Sequence, residues 1–417
     1  MERIIFHCDL NSFYASVELL GFPALRDKPV AVCGDPASRH GVILAKNEAA
    51  KAMGVKTAET IWQARRKCPD LTLLPAHHEK YRYYSKLAGE IYERYTDLVE
   101  PFGIDESWLD VTGTLHLFGG DPRELVDEIR RVIREELGLT VSVGVSFNKI
   151  FAKLGNDYRK PDATTVISRE NFRDIVWPLP VTDLLFVGRA SGKILAAHGI
   201  ETIGDLAAVP QEKLEKLLGK NGAQLHQYAL GEDRSPVRPA GDRPPPKSVG
   251  NGLTFRRNLV GRGEILVGVQ MLSERVAMRL RRHGMKCTTV QIAVRSPDFQ
   301  TVSRQKRLAA PSHLTRELVE GVMELLAGCW NWSAPVRALT VTATGLLPED
   351  QAGEQLDLFA PQVPLRRVKQ EKLEQTMDLL RDKYGGSIIG YGPRETRLAR
   401  EIAGDEQSVG DEEEKEE

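Results

Sequence analysis

The sequence is short of cysteine, and no two of its five cysteines form a CxxC pair. An odd number of scattered cysteines excludes a disulfide framework, and the missing CxxC spacing excludes a zinc knuckle. Long apolar runs are also missing, because no stretch reaches the length that a membrane span needs. These absences favour a reducing compartment, and we expect a cytoplasmic protein without a membrane partner.

The chain also lacks a strong net charge, since its formal charge at pH 7 is −1. Taken alone, this value argues against a nucleic-acid-binding protein. The average hides an asymmetry, however: residues 234–307 hold sixteen Lys and Arg against four Asp and Glu, a local charge of +12. The last thirteen residues hold eight acids and one Lys. A basic middle beside an acidic tail indicates a polyanion-binding surface, with a merely solvated basic face as the alternative.

Two adjacent acids, Asp105 and Glu106, lie between apolar segments that predict two short strands joined by a tight hairpin. Residues 4–10 predict a buried strand that ends on a third acid, Asp9, followed by Asn11 or Ser12 as a helix N-cap. Clustered carboxylates are costly unless a positive charge neutralises them, and a divalent metal ion is a common solution. A solvated hairpin tip is the alternative for Asp105 and Glu106 alone.

Three convergent acids can hold two Mg²⁺ ions, one activating a hydroxyl nucleophile and one bridging a triphosphate. Lysines nearby would offset the charge of the phosphates. This chemistry is metal-assisted phosphoryl or nucleotidyl transfer beside a DNA-binding surface. The acids by themselves do not choose a reaction, because nucleotidyl cyclases use a similar constellation.

A length of 417 residues is too great for one core and predicts about three domains. Strands and helices alternate up to about residue 165, with a helical region over 46–67 interrupted near Gly54, which indicates an α/β or α+β domain. Short helices follow over residues 166–240, and three consecutive prolines, residues 244–246, predict a stiff linker. Beyond them the pattern predicts the βαββαβ order of a ferredoxin-like domain.

Several arginines are interspersed with apolar residues on the predicted strands of this last domain: Arg256, Arg257, Arg295, Arg304 and Arg307. A basic sheet face suits sequence-tolerant contact with a DNA backbone. After it, the segment 355–359 (QLDLF) places two Leu and a Phe in a polar tail. Such a segment predicts a short peptide that docks into a partner's pocket, with packing onto the last domain as the alternative.

Three motifs appear in order along the chain: residues 9–18 (DLNSFYASVE), 103–110 (GIDESWLD) and 142–153 (SVGVSFNKIFAK). Together they resemble Y-family DNA polymerases, most closely the bacterial DNA polymerase IV group, over about residues 1–346. The resemblance implies an α+β multidomain right-hand enzyme with a ferredoxin-like palm, small fingers, a helical thumb with a helix-hairpin-helix, and a βαββαβ little finger. The implied boundaries are palm 1–10 and 78–165, fingers 11–77, thumb 166–240, linker 241–246, little finger 247–346 and tail 347–417.

The implied activity is template-directed, low-fidelity translesion synthesis by a monomer, with two Mg²⁺ ions, primer–template DNA and dNTPs, and without proofreading. Asp9, Asp105 and Glu106 match the metal-binding and catalytic carboxylates, with the backbone carbonyl of Leu10 as a further metal ligand. Tyr14 matches the steric gate that excludes a ribose 2′-OH. The remaining implied contacts are Phe13, Lys160 and Lys51 for the dNTP, Gly188, Arg256, Arg257, Arg295 and Arg304 for DNA, and Gln355, Leu356, Leu358 and Phe359 for the sliding clamp.

The chain departs from the family pattern at two sites. Glu48 and Lys51 stand where many members carry a Tyr and an Arg toward the triphosphate. An acid near phosphates is unfavourable, so we expect Glu48 to turn away or to act differently, whereas Lys51 replaces only the charge of a bidentate Arg. In the thumb, Phe186 stands where a first hairpin glycine is common, which leaves Gly188 alone.

Two other functions remain open at this point. A polymerase-like scaffold that binds DNA and clamp is disfavoured, because it gains nothing from costly clustered acids. A cyclase is disfavoured, because it needs neither the basic domain nor the docking peptide.

Overall fold

The computed structural model describes residues 2–34, 41–242, 244–353, 362–386, 388–390 and 401–402, without the side chains of 362–365. The chain divides into two compact units, Met1–Arg243 and Pro244–Glu417. All five cysteines are free, and four of them are buried. Among the described helices, none has the length and apolar character needed to cross a bilayer.

The first unit contains eight strands and eleven helices within its described residues. Its strands are β1 (Ile5–Leu10), β2 (Val30–Cys33), β3 (Ile43–Lys46), β4 (Thr72–Pro75), β5 (Val99–Pro101), β6 (Glu106–Asp110), β7 (Val141–Ser146) and β8 (Thr164–Ile167). Its helices are α1 (Phe13–Leu20), α2 (Glu48–Ala52), α3 (Ile61–Lys67), α4 (His78–Glu93), α5 (Pro122–Leu137), α6 (Lys149–Tyr158), α7 (Phe172–Val176), α8 (Arg189–Ala196), α9 (Ile203–Ala208), α10 (Gln211–Leu218) and α11 (Lys220–Ala229).

A five-stranded sheet in the order β5-β6-β1-β7-β8 forms the centre of the first unit. All six residues of β1 are buried, because the strand pairs antiparallel with β6 on one side and β7 on the other. Side chains alternate between the faces of a strand. Phe6 and Cys8 therefore join the apolar core shared with α4 and α5, whereas Ile5 packs with Trp108 and with Ala152 of α6.

Helix α6 lies unusually close to this sheet. A Cβ built on Gly144 of β7 would stand 1.9 Å from the carbonyl oxygen of Ala152 and 2.4 Å from the backbone nitrogen of Asn156. No side chain fits in that space, so glycine at position 144 is what lets the helix backbone approach. The side chains of α6 thereby reach the face of β1 that carries Asp9.

A second, three-stranded sheet in the order β3-β2-β4 carries α2 and α3. The helical region predicted over 46–67 is wrong in its first part, because Lys46 ends a strand and only α2 and α3 are helical. Gly54 and Ala58 lie between these helices with positive φ angles of 80° and 66°, and this backbone breaks the helical path. Three consecutive residues of β3, Leu44, Ala45 and Lys46, line the cavity described below.

Short helices α7 to α11 follow, around an apolar core that they share with α6 and β8. Phe186 adopts a φ of +72°, the left-handed region that glycine prefers, and its ring is 54% exposed. Gly188 is the N-cap of α8, so no side chain at this position caps the helix. The Phe therefore accepts the backbone conformation that the glycine common at this position would adopt without strain.

The second unit confirms the predicted βαββαβ order. Its elements are β9 (Ser248–Leu259), α12 (Gly261–Arg282), β10 (Met285–Arg295), β11 (Thr301–Ser312), α13 (Thr315–Cys329), β12 (Val336–Pro348) and a final helix α14 (Gln362–Tyr384). The sheet order is β11-β10-β12-β9, with all neighbours antiparallel. Helices α12 and α13 contribute to one apolar core with this sheet.

Helix α14 is attached to the second unit by a buried ionic network. The guanidinium of Arg281 donates to Asp378 at 2.6 Å and to Glu374, and Arg381 pairs with Glu274. Glu374 also accepts from the backbone nitrogen of Thr315 at 3.2 Å. Because each buried charge has a partner, the helix is a fixed part of this unit.

Candidate active site

Asp9 and Glu106 face each other across two adjacent strands. In the antiparallel register of β1 and β6, Asp9 lies opposite Glu106, and the hydrogen bond from Leu10 N to Asp105 O (3.0 Å) closes the ladder. Asp9 is the penultimate residue of β1, and α1 begins four residues later. The predicted convergence of these acids is therefore built by strand pairing, although almost a hundred residues separate them.

Asp105 lies in the hairpin between β5 and β6, directly before β6. A hydrogen bond from Phe102 N to Glu106 O (2.9 Å) joins the two sides of the hairpin. Burial raises the pKa of the Asp105 carboxyl, and the neighbouring charge of Glu106 raises it further. A tight turn before the strand thus lets two consecutive acids approach one site, as the sequence predicts.

Two lysines lie among these acids. Lys160 Nζ is 2.5 Å from Asp9 Oδ2, and Lys153 Nζ is 2.9 Å from Glu106 and 3.7 Å from Asp9. Burial raises the pKa of Asp9 to about 7, against the lowering effect of Lys160. Burial also disfavours the charge of Glu106, but the contacts with His7 and Lys153 prevail and hold the pKa of this carboxyl below its usual value.

Lys153 is a site residue that the sequence reasoning did not assign. It lies one helical turn after Lys149 on α6, inside the third motif. The close approach of α6 to Gly144 brings Lys153 to Glu106. The basic residues of this helix indicate a functional segment, but only the contacts with Asp9 and Glu106 distinguish Lys153 from Lys149. Lys149 instead pairs with Glu100 at 2.7 Å.

Asp9 and Asp105 line a cavity of about 490 Å³. The five-stranded sheet and its flanking segments contribute Asp9, Leu10, Ile104, Asp105 and Lys160 to its wall; the segment leading into α1 contributes Asn11, Ser12, Phe13 and Tyr14; the three-stranded sheet and its helices contribute Leu44, Ala45, Lys46, Glu48, Lys51 and Thr57. The cavity wall therefore holds every predicted metal and nucleotide residue except Glu106, which lies opposite Asp9 on the paired strand and contacts Lys153.

Tyr14 is held rigidly at this wall. Its ring stacks on Tyr81 with a centroid separation of 3.9 Å and an interplanar angle of 13°. Tyr81 is fully buried, and its hydroxyl donates to Glu18 at 2.7 Å. Phe13 is itself buried and packs against Tyr81, so it contributes to the core beside the cavity.

Of the two expectations for Glu48, the structure contradicts the first, because the residue does not turn away from the cavity. It lies in the wall, accepts a hydrogen bond from Ser12 Oγ at 3.3 Å and pairs with Lys51 at 3.4 Å. Ser12 has a left-handed backbone (φ 48°), and its side chain does not cap α1, so the predicted N-cap contact is replaced by this link to Glu48. The pair leaves this part of the wall neutral.

Lys46 is a second residue that the sequence reasoning missed. It faces the cavity from the end of β3 and donates to Thr57 at 3.1 Å. Partial burial and the neighbouring charge of Lys51 lower the pKa of its ammonium group. Because residue 46 was assigned to a helix, its position at the end of a strand beside the cavity was not visible in the sequence.

The second unit carries the predicted basic residues. Arg256 and Arg257 are both exposed on β9, where an irregular register with β12 interrupts the alternation of faces. Arg257 forms two hydrogen bonds with Glu264 (2.7 and 2.8 Å), and Arg295 stacks over Phe299 at 5.1 Å. Arg304 is exposed on β11. The predicted clamp peptide, residues 355–359, lies outside the described residues.

The donor set suits a hard divalent cation. Among the described residues, no three His, Cys, Asp or Glu side chains are grouped so as to hold an ion by themselves. Mg²⁺ does not need such a cage, since it is usually bound by one or two carboxylates together with phosphate oxygens and water. Burial raises the pKa values of Asp9 and Asp105 because it disfavours their charged forms, and a bound cation would stabilise those charged forms.

Comparison with known proteins assigns the chain. The impB/mucB/samB family matches residues 8–157, its C-terminal domain matches residues 246–358, and the thumb domain of DNA polymerase-iota matches residues 182–233. The DNA polymerase IV of Acetivibrio thermocellus is 48% identical over 94% of this chain and 97% of the relative. DNA polymerase IV 1 of Bacillus subtilis is 39% identical over 94% and 93%.

A solved Y-family DNA polymerase chimera of Dbh and Dpo4 shares the fold. Its TM-score is 0.72 at 24% identity, covering 82% of this chain and 99% of the chimera. The predicted multidomain α+β class is thereby confirmed. The relatives also decide between the open alternatives in favour of a polymerase, and their family uses divalent metal ions and primer–template DNA. The chain belongs to the Y-family DNA polymerases, and within them to the translesion enzymes of the DNA polymerase IV group.

Proposed function

We propose that the cavity binds a deoxynucleoside triphosphate and that Asp9, Asp105 and Glu106 would hold two Mg²⁺ ions there. The oxygen of a primer 3′-hydroxyl attacks the α-phosphorus and gives up its proton to water. The bond from that phosphorus to the oxygen that bridges it to the β-phosphorus breaks, and pyrophosphate leaves. The observation that carries this proposal is the polarity of one cavity, whose wall combines the acids of β1 and the hairpin with Lys46, Lys51 and Lys160.

The bound ions would neutralise the phosphates and make the primer hydroxyl a better nucleophile. The chain's own residues set the geometry. Asp9 and Asp105 reach the cavity, whereas Glu106 lies farther back against Lys153, on the side where we place the primer terminus. The carbonyl of Leu10, at the end of β1, is proposed as a further ligand.

The lysines are proposed to bind the triphosphate. Lys160 already lies 2.5 Å from Asp9, so it can move between a carboxylate and a phosphate without a long excursion. Lys46 and Lys51 contribute positive charge from the other sheet. Lys51 neutralises Glu48, to which Ser12 also donates a hydrogen bond, so the net positive charge from this sheet comes from Lys46.

Tyr14 is proposed as the steric gate, with Phe13 supporting the segment from the core. DNA is proposed to contact Gly188 in the first unit and Arg256, Arg257, Arg295 and Arg304 in the second. Gln355, Leu356, Leu358 and Phe359 are proposed to bind the sliding clamp. We propose that the protein works in the cytoplasm, a reducing compartment in which its five cysteines would stay free.

Asp105→Asn and Glu106→Gln should each reduce primer extension by about a hundredfold or more, because they remove charge that orients the cations and the primer terminus. Single-nucleotide incorporation on a primer–template with Mg²⁺ measures the effect. Asp110→Asn is the matched control, since Asp110 lies on the same strand at its far end. An inactive wild type, or variants that extend as fast as it does, would contradict the proposal.

Tyr14→Ala should increase incorporation of ribonucleotides relative to deoxyribonucleotides by about tenfold or more, because the ring no longer excludes the 2′-OH. The measurement is the ratio of kcat/KM for the two sugars. Tyr14→Phe keeps the ring and should keep the selectivity. The gate is misassigned if the alanine variant selects sugars as well as the wild type.

Lys46→Ala should raise KM for the incoming nucleotide by about tenfold, since it removes a charge-assisted contact to phosphate. Glu48→Gln should lower KM, because Lys51 is released from its partner. Steady-state incorporation over a range of dNTP concentrations measures both. Lys56→Ala is the control, since Lys56 is exposed outside the cavity wall. Equal effects at positions 46 and 56 would reject the assignment.

Replacing Leu358 and Phe359 together by Ala should abolish the stimulation of synthesis by a sliding clamp and spare synthesis without it. The measurement is product length with and without the clamp loaded on primed DNA. Asp357→Ala is the control within the same peptide and should retain the stimulation. If the double variant is still stimulated, the clamp contact lies elsewhere.

A further inference from the structure

A fully buried histidine lies beneath the acids. His7 belongs to β1 two residues before Asp9, so both side chains project from the same face of the sheet. Its ring meets the edge of Trp108 at a centroid distance of 5.2 Å. Neither the proposed metal site nor the nucleotide contacts use this residue.

Asn156 of α6 determines which ring nitrogen of His7 carries the proton. The amide nitrogen of Asn156 lies 3.3 Å from the carbonyl oxygen of His7 and 3.3 Å from that of Ser142. Two carbonyl oxygens can only accept, so this atom is the NH₂ group of the amide. The same nitrogen is 2.9 Å from His7 Nδ1, and a donor at that distance requires Nδ1 to accept. The proton of a neutral His7 therefore resides on Nε2.

The protonated Nε2 faces Glu106. It lies 3.4 Å from Glu106 Oε2 and, buried as it is, makes no hydrogen bond of normal geometry within the described structure. A buried N–H without an acceptor is costly, and the Glu106 carboxylate is the acceptor that this geometry offers. Lys153 contacts the same carboxylate at 2.9 Å.

The arrangement depends on the close approach of α6. Asn156 and Lys153 lie one turn apart on this helix and address His7 and Glu106 respectively. Gly144 permits that approach, because any side chain there would meet the backbone of Ala152 and Asn156. The chain thus places the Nε2–H of His7 beside the Glu106 carboxylate, whereas Asp9 lines the cavity.

We propose that His7 is a positioning residue: its Nε2–H, directed by Asn156, orients the carboxylate of Glu106 toward the reacting centre. The proposal rests on the proposed role of Glu106 in catalysis. It adds a residue to the site that touches neither nucleotide nor DNA. Its effect reaches the reaction only through Glu106.

Packing alone is the competing explanation, since His7 also fills space against Trp108. Two substitutions separate the explanations. His7→Phe keeps an aromatic ring but cannot donate, whereas His7→Gln has a carbonyl that can accept from Asn156 and an amide that can donate to Glu106. A positioning role predicts loss in the first variant and recovery in the second.

Single-turnover and steady-state primer extension test the role. We expect His7→Phe to lower kcat by about tenfold with KM for dNTP and affinity for DNA unchanged, and His7→Gln to stay within about threefold of the wild type. In a Glu106→Ala background, His7→Phe should cause no further loss, because the interaction is already absent. An unchanged kcat in His7→Phe, or an undiminished loss without Glu106, overturns the proposal.

A spectroscopic measurement tests the same geometry without any reaction. In the full chain labelled with ¹⁵N-histidine, the His7 resonances are those missing from His7→Gln. We expect a protonated Nε2 and an unprotonated Nδ1, with a shift of the Nε2 signal in Glu106→Ala. A proton on Nδ1, or an unresponsive Nε2, overturns the proposal. A wild type that fails to extend primers while showing this signature would count against the proposed function and leave the geometry standing.

Discussion

Pairing of β1 with β6 is the interaction on which the site depends. It places Asp9 opposite Glu106, and the hydrogen bond from Leu10 N to Asp105 O brings the hairpin residue Asp105 to the same end of β1. Because side chains alternate along a strand, a slip of one residue would turn Asp9 into the apolar core of α4 and α5. The burial of all of β1, with Phe6 and Cys8 packed on that side, excludes such a slip.

The same strand connects the acids to α6, and α6 determines their electrostatics. Its lysine and asparagine are placed by backbone contact at Gly144, which a single methyl group would prevent. Acids with raised pKa values, lysines at hydrogen-bonding distance and a neutral imidazole then share one small volume. Lys153 and Lys160 offset only part of the negative charge of the acids, and a bound cation would offset more of it.

Much of this site is predictable from sequence, and the reasons are local. Asp9 ends an apolar strand, Asp105 and Glu106 interrupt two apolar segments, and the βαββαβ order follows from periodicity alone. Lys46 was not predicted, because residues 46–67 have a pattern that suits helices, whereas Lys46 ends strand β3, which pairs with β2. His7 and Asn156 are 149 residues apart, and nothing in either segment signals that the two side chains meet. Phe186 illustrates the limit of the turn rules, since a bulky residue occupies a glycine conformation there.

The stack of Tyr14 on Tyr81 has a consequence for the steric gate proposed at Tyr14. Tyr81 is immobilised by burial and by its bond to Glu18, so the Tyr14 ring lies against a rigid surface and has few rotamers to lose. A ring that is ordered in advance does not spend binding energy on becoming ordered when a nucleotide arrives. Discrimination at Tyr14 would then be a property of the resting protein, equally strict for a correct and an incorrect base pair. An enzyme of this kind can be permissive toward the template base and still strict toward the sugar.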